Sequence, residues 1–253
     1  MSLPAGLKLF DLTGHVAVVN GASSGIGASL AGALHSCGAQ VVCVARREDR
    51  LRQVAAPIGG AYVVGDVAKR DTLDAIAAKA SGFFGPPDIV INAAGINIRA
   101  PAHEVRAEDW DEVMAVQLAA PLFFTQRFVG AMRDKGWGRI INIGSLSTER
   151  ALPSATVYGT AKTAIWGLTR QMALDFSPWG VTVNAICPGY FETELTAPVV
   201  ADTARWQRLA ESTMIGRNGN LEDLHGAAIF LASNAGGYVT GQTLFVDGGF
   251  TAK

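Results

Sequence analysis

Tyr158 and Lys162 stand four residues apart in a stretch of helical period, which puts both side chains on one helix face about one turn from each other. A phenol with a pKa of about 10 exchanges protons poorly at neutral pH, and lowering it to about 7 requires roughly 4 kcal/mol of preferential stabilisation of the phenolate. A single ammonium at about 4 Å, in an effective dielectric of about 20, supplies an amount of that order. Ser145 precedes Tyr158 by thirteen residues and closes an apolar run, so its hydroxyl falls at the carboxyl end of a strand. Together these groups can pass a proton to or from an oxygen undergoing reduction or oxidation.

A second set of residues suits a phosphate. Asn20-Gly21-Ala22-Ser23-Ser24-Gly25-Ile26-Gly27 follows a buried-type strand and opens a small-residue helix. Backbone N–H groups at such a helix start can meet a pyrophosphate, which makes Gly21, Ser23, Ser24, Gly25, Ile26 and Gly27 a candidate dinucleotide cradle; an ordinary tight turn is the alternative. About twenty residues past such a loop an acid would bind the adenosine ribose, whereas arginine there accommodates a 2′-phosphate. The chain reads Ala45-Arg46-Arg47, which favours NADP(H) over NAD(H), unless one arginine merely pairs with Glu48 or Asp49 in a solvated helix start. Asp66-Val67 and Asn92-Ala93-Ala94-Gly95 end two further strands, where ligands of an open sheet bind. Asp66 suits an adenine amino group or an Asx turn, and Gly95 suits close backbone approach or a plain turn.

The elements that must position these groups alternate along the chain. β-branched runs at 15–20, 40–45, 61–65, 88–92, 139–144, 181–186 and 243–247 are separated by helical stretches, the clearest at 25–37, 48–56, 69–81, 107–133 and 156–177. Strand and helix in alternation predict an α/β fold: a doubly wound, Rossmann-type parallel sheet of about seven strands with helices on both faces. No linker or repeat divides the 253 residues, so they are expected to form a single dinucleotide-binding and catalytic domain, 1–253, with a substrate lid at about 190–220.

Composition narrows the partners. With 21 Lys+Arg against 22 Asp+Glu and no basic run, nucleic acid is not expected. The amino-terminal residues lack a signal-peptide core and no run of about 18 apolar residues exists, so neither export nor a membrane partner is expected. Three cysteines without a C-x-x-C suit a reducing cytoplasm, and four scattered histidines without H-E-x-x-H spacing suggest no metal.

These motifs, in this order, resemble the short-chain dehydrogenase/reductase family over essentially the whole chain. The resemblance implies that Tyr158 is the general acid in carbonyl reduction and the base in alcohol oxidation, with Ser145 bonding the substrate oxygen. It implies that Lys162 also binds the nicotinamide ribose, and that Pro188, Gly189 and Thr193 hold the carboxamide. Three positions depart from the family pattern: Asn20 replaces Thr, Ala93 replaces Asn, and Gln117 stands where a helical Asn completes the catalytic set and fixes a proton-relay water. Gln117 offers the same amide one methylene further out, or only packs. The segments around Arg99 and Tyr190 look most like gluconate 5-dehydrogenases and related sugar-acid enzymes. Arg99 or Arg150 would then pair with a substrate carboxylate and Tyr190 with a hydroxyl, unless the arginines are only solvated. A 3-oxoacyl thioester reductase is the alternative, with Arg127, Arg133, Lys135 and Arg139 facing an acidic carrier. A catalytically inactive nucleotide-binding protein is a third. The family resemblance also implies a homotetramer.

Overall fold

The computed structural model describes residues 4–253. A short helix, α1 (Ala5–Lys8), leads into β1 (Val16–Asn20), α2 (Gly25–Ser36), β2 (Gln40–Ala45), α3 (Glu48–Ala55), β3 (Ala61–Val64), α4 (Leu73–Phe84) and β4 (Ile89–Asn92). There follow α5 (Ala107–Met114), a π-helical turn (Ala115–Ala119), α6 (Ala120–Lys135), β5 (Gly138–Ile143), α7 (Thr156–Phe176) and β6 (Val181–Pro188). The chain ends with α8 (Ala197–Val200), α9 (Thr203–Glu211), α10 (His225–Ala232) and β7 (Thr243–Val246).

All seven strands are parallel and ordered β3-β2-β1-β4-β5-β6-β7, as the strand–helix alternation predicts. The order reverses at β1, so a crevice opens there at the carboxyl edge, between the turns that follow β1 and β4. The central strands are mostly apolar because successive residues feed opposite layers. Ala17 and Val19 join Val41, Ile89 and Ile141 beneath α2 and α10, where Leu30, Leu34 and Leu231 are buried. Val18 joins Val42, Val90 and Ile140 beneath α4, α6 and α7, where Ile76, Phe124, Phe128 and Met172 are buried.

Two polar networks hold the ends of the sheet. At the amino edge Asp88 is buried, accepts from the Val16 N–H (3.0 Å) and the His15 ring (3.0 Å), and pairs with Lys135. At the carboxyl edge the facing residues Asn20, Asn92 and Asn142 form a ladder across β1, β4 and β5. The Asn20 amide donates to Asn92 (2.7 Å), Asn92 donates to Asn142 (2.9 Å), and Asn142 donates to Thr169 of α7 (2.9 Å). Asn20 Oδ1 in turn accepts from the N–H groups of Ala93 (3.0 Å) and Ala94 (2.9 Å). An amide carries its donor and its acceptor on two separate atoms, so Asn20 reaches Asn92 with one and the Ala93 and Ala94 N–H groups with the other, whereas a Thr hydroxyl offers both roles at one nearer oxygen; the Asn20 departure therefore has a structural use.

The sequence-predicted helix over 107–133 runs on to Lys135 but is interrupted by the π turn. Pro121 has no N–H for the Gln117 carbonyl four residues earlier, which is the ordinary cause of such a bulge. The stretch Ala107–Lys135 is long and apolar enough to cross a bilayer on those criteria alone, yet Phe124, Phe128 and Met132 are buried against the sheet. The expected lid at 190–220 carries two helices, α8 and α9, that no periodicity revealed: one has four residues, and the other nine, capped by Asp202 accepting from the Arg205 N–H (2.9 Å).

Candidate active site

The glycine loop turns immediately after β1 because Gly21 and Gly25 take left-handed backbone, φ 71° and 54°. A Cβ on Gly21 would lie 2.4 Å from the Ala94 nitrogen, and one on Gly27 would lie 2.5 Å from the Gly21 carbonyl oxygen. The loop therefore nests against both the β4 turn and its own helix, and leaves backbone exposed toward a cleft of about 470 Å³. Every predicted cofactor residue except Asn92 lines this cleft: the loop from Gly21, Arg46 and Arg47, Asp66 and Val67, Ala94 and Gly95, Tyr158 and Lys162, and Pro188, Gly189 and Thr193. Asn92 is instead committed to the ladder. The cleft fits a dinucleotide by this observation, since bare glycine backbone at a helix start is what a pyrophosphate needs.

Neither Arg46 nor Arg47 pairs with Glu48 or Asp49; Glu48 takes Arg52 instead (3.2 Å). Arg46 makes no ion pair among the described residues, and Arg47 reaches back over Ser23 and Ser24. Asp66 uses one carboxylate oxygen to accept from the Ala68 N–H (3.0 Å).

Ser145, Tyr158, Lys162 and Gln117 converge at the other end of the cleft. Ser145 follows β5 directly and its Oγ accepts from the Ser147 N–H (3.1 Å). Tyr158 and Lys162 project from the first turns of α7, and Lys162 Nζ donates to the Ile143 carbonyl (2.6 Å). Burial pushes the Lys162 ammonium down to about 8. Its Nζ lies 5.8 Å from the Tyr158 ring centroid. Burial pushes the Tyr158 phenol up, and the Ser145 hydroxyl and the Arg99 charge pull it back.

The proximity of Arg99 is a tertiary result. The loop after β4 is pinned to the segment before α7: Ala100 N–H donates to Ser154 O (3.0 Å) and Arg99 itself to Pro153 O (3.0 Å). Ser154 takes a left-handed φ of 55° to allow it. Arg99 is exposed and lines neither cavity of the site, but its charge is felt at both Tyr158 and Tyr190 and lowers the phenol pKa of each, while burial raises both. Arg150 is not brought to the cleft; it is exposed, tied to the Thr251 and Lys253 carbonyls and set over Phe250. Tyr190 packs edge-on against Phe250 and lines a smaller adjoining cavity of about 240 Å³.

Gln117 is buried at the π turn, its Nε2 donates to the Ile96 carbonyl (2.7 Å), and its Oε1 has no partner among the described residues. Glu194, Leu195 and Thr196 also line the cleft, and no spacing signal marks them, because they reach it only by the path of the chain after β6.

Residues 21–251 match a family model described as Enoyl-(Acyl carrier protein) reductase, one of the short-chain dehydrogenase models. The chain belongs to the short-chain dehydrogenase/reductase family. It is 41% identical over 251 residues to gluconate 5-dehydrogenase of Gluconobacter oxydans (strain 621H), covering 97% of this chain and 98% of that protein. It is 34% identical over 253 residues to 5-keto-D-gluconate 5-reductase of Escherichia coli (strain K12), covering 95% and 97%. Among solved structures, a gluconate 5-dehydrogenase from Burkholderia cenocepacia J2315, in complex with NADP and tartrate, superposes with a TM-score of 0.94 at 38% identity, covering 98% of this chain and 99% of that one. Membership makes the chain an NAD(P)-dependent oxidoreductase acting on CH–OH groups.

Proposed function

We propose that this enzyme interconverts a ketone and a secondary alcohol of a sugar acid, of the 5-ketogluconate and gluconate kind, with NADP(H) in preference to NAD(H). The observation that carries this reading is the Arg99 charge at the edge of the site, held on the Pro153 carbonyl and close enough to lower the Tyr158 phenol, where a substrate carboxylate could meet it. Similarity to gluconate 5-dehydrogenase supports the substrate class, and Arg46 and Arg47 at the cleft mouth support the cofactor preference.

The glycine loop would hold the pyrophosphate, Lys162 the nicotinamide ribose and Thr193 the carboxamide; the bound cofactor supplies or accepts the hydride. Ser145 Oγ orients the substrate oxygen, and the Tyr158 hydroxyl gives it a proton in reduction and takes one in oxidation. Lys162, anchored on the Ile143 carbonyl with its Nζ 5.8 Å from the Tyr158 ring centroid, is the ammonium next to the phenol, and Gln117 fixes the β4 turn at Ile96. The four cations offered for an acidic carrier are engaged internally: Arg127 with Asp74, Arg133 with Asp134, Lys135 with Asp88, and Arg139 stacked on Trp137. That disfavours the thioester reductase. We also assign a cytoplasmic homotetramer; exposed Trp110, Trp166 and Leu174 on α5 and α7 supply apolar surface for assembly.

The test is a paired titration with NADPH and NADH, followed by cofactor absorbance with 5-ketogluconate and with an acetoacetyl thioester. Tighter NADPH binding and turnover of the keto acid are expected. Turnover of the thioester alone would move the function to the alternative, and cofactor binding without any turnover would point to an inactive nucleotide-binding protein.

A further inference from the structure

The mouth of the cleft holds a carboxylate among phosphate-type donors. Arg47 donates through one terminal nitrogen to Ser23 Oγ (2.9 Å) and Ser24 Oγ (2.8 Å), and through the other pairs with Glu194 Oε2 (2.7 Å). Ser24 Oγ completes the cluster by donating to the same Glu194 oxygen (3.0 Å). One carboxylate oxygen thus collects a guanidinium and a hydroxyl from two strand-end loops, a donor set that equally suits a phosphate oxygen. Glu194 lies one residue beyond Thr193 and just before α8, so the contact ties the lid's leading segment to the β1 and β2 loops. The side chains are about half exposed, 46% for Arg47 and 51% for Glu194, so water is available to replace the contact.

We propose that Glu194 is an internal competitor for the cofactor's 2′-phosphate: its carboxylate holds Arg47 and Ser24 until NADP(H) displaces it, and so limits NADP(H) affinity and favours release. The proposal rests on the NADP(H) reading above. A 2′-phosphate and the Glu194 carboxylate repel each other and cannot share one guanidinium edge without loss, so the cofactor must break the pair or tolerate a like charge beside it. NADH has no 2′-phosphate and leaves the pair undisturbed. Hydrogen bonds from Arg47 and Ser24 hold the Glu194 carboxyl below its usual range, so it stays a full anion at neutral pH.

The experiment compares the full-length wild type, Glu194→Gln, Arg47→Ala and the double variant by fluorescence titration with NADPH and with NADH at low salt. Glu194→Gln is expected to lower the NADPH dissociation constant about three- to five-fold, the range an exposed ion pair can return, while NADH affinity stays within about two-fold. In the Arg47→Ala background the same substitution should no longer tighten NADPH. Unchanged or weaker NADPH binding, equal tightening of NADH, or an undiminished gain without Arg47 would each overturn the proposal. Wild type that fails to bind NADPH would instead defeat the cofactor reading, so the two failures are distinguishable.

Discussion

Replacing Arg99 with Met keeps the apolar stem and removes the charge that lowers the Tyr158 and Tyr190 phenols. Arg99 is exposed and already spends one terminal nitrogen on Pro153 O, so it enters a substrate contact without the full strength of a desolvated pair. A charge-assisted hydrogen bond contributes about 1.5–3 kcal/mol, and exposure places this one at the lower end, about 1.5 to 2 kcal/mol. That converts to a fall of about 10- to 30-fold in kcat/KM for 5-ketogluconate. Arg99→Met should leave an uncharged ketone of similar size within about three-fold, because no carboxylate is lost there. A second effect has a definite sign. The Arg99 charge lowers the Tyr158 pKa, so its removal should move the rise of alcohol oxidation with pH to higher pH, since Tyr158 acts as base only when deprotonated. Steady-state assays of both ketones, and a pH profile of oxidation, read these outcomes. Equal losses on the charged and neutral ketones, or a profile shifted to lower pH, would refute the placement of Arg99.

Tyr158→Phe should cut turnover at least about 10³-fold while holding NADPH affinity within about two-fold, because only the proton carrier is removed; retained turnover would end the catalytic assignment. Gln117→Asn should hold kcat within about three-fold, whereas Gln117→Leu should cost about 1–3 kcal/mol of stability in denaturant titration by orphaning the Ile96 carbonyl; equal effects would show that reach rather than the amide matters. Asp88→Asn should lower the melting temperature by about 4–10 °C, from about 2–3 kcal/mol of lost buried pairing. Burial raises the Asp88 carboxyl, but bonds from His15 and Lys135 outweigh it and hold the pKa below the ordinary range. Its stabilisation is therefore present above about pH 4 and lost as acid titrates the folded carboxylate, and Asp88→Asn should flatten that acid limb of stability against pH.

The strand–helix alternation, the parallel sheet and most of the cleft lining were legible in the chain itself. They rest on local physics: apolar runs buried on both faces, glycines where backbone must turn left-handed or pass close, and a four-residue spacing that puts Tyr158 and Lys162 on one face. The two helices of the segment 190–220 were not legible, because elements of four and nine residues hold too few turns to show a period. Choices between like residues needed the tertiary structure. Arg99 and Arg150 look alike in sequence, yet pairing of Ala100 with Ser154 holds one where its charge acts on Tyr158, while the Thr251 and Lys253 carbonyls bind the other. Arg46 and Arg47 are adjacent, yet only Arg47 meets a carboxylate from 147 positions away, an encounter between distant loops. Asn92 could have faced a ligand, and lies in a ladder because the registers of β1, β4 and β5 align Asn20, Asn92 and Asn142. Spacing along a chain encodes which groups share one element; which groups from different elements meet is decided by how the sheet stacks its ends.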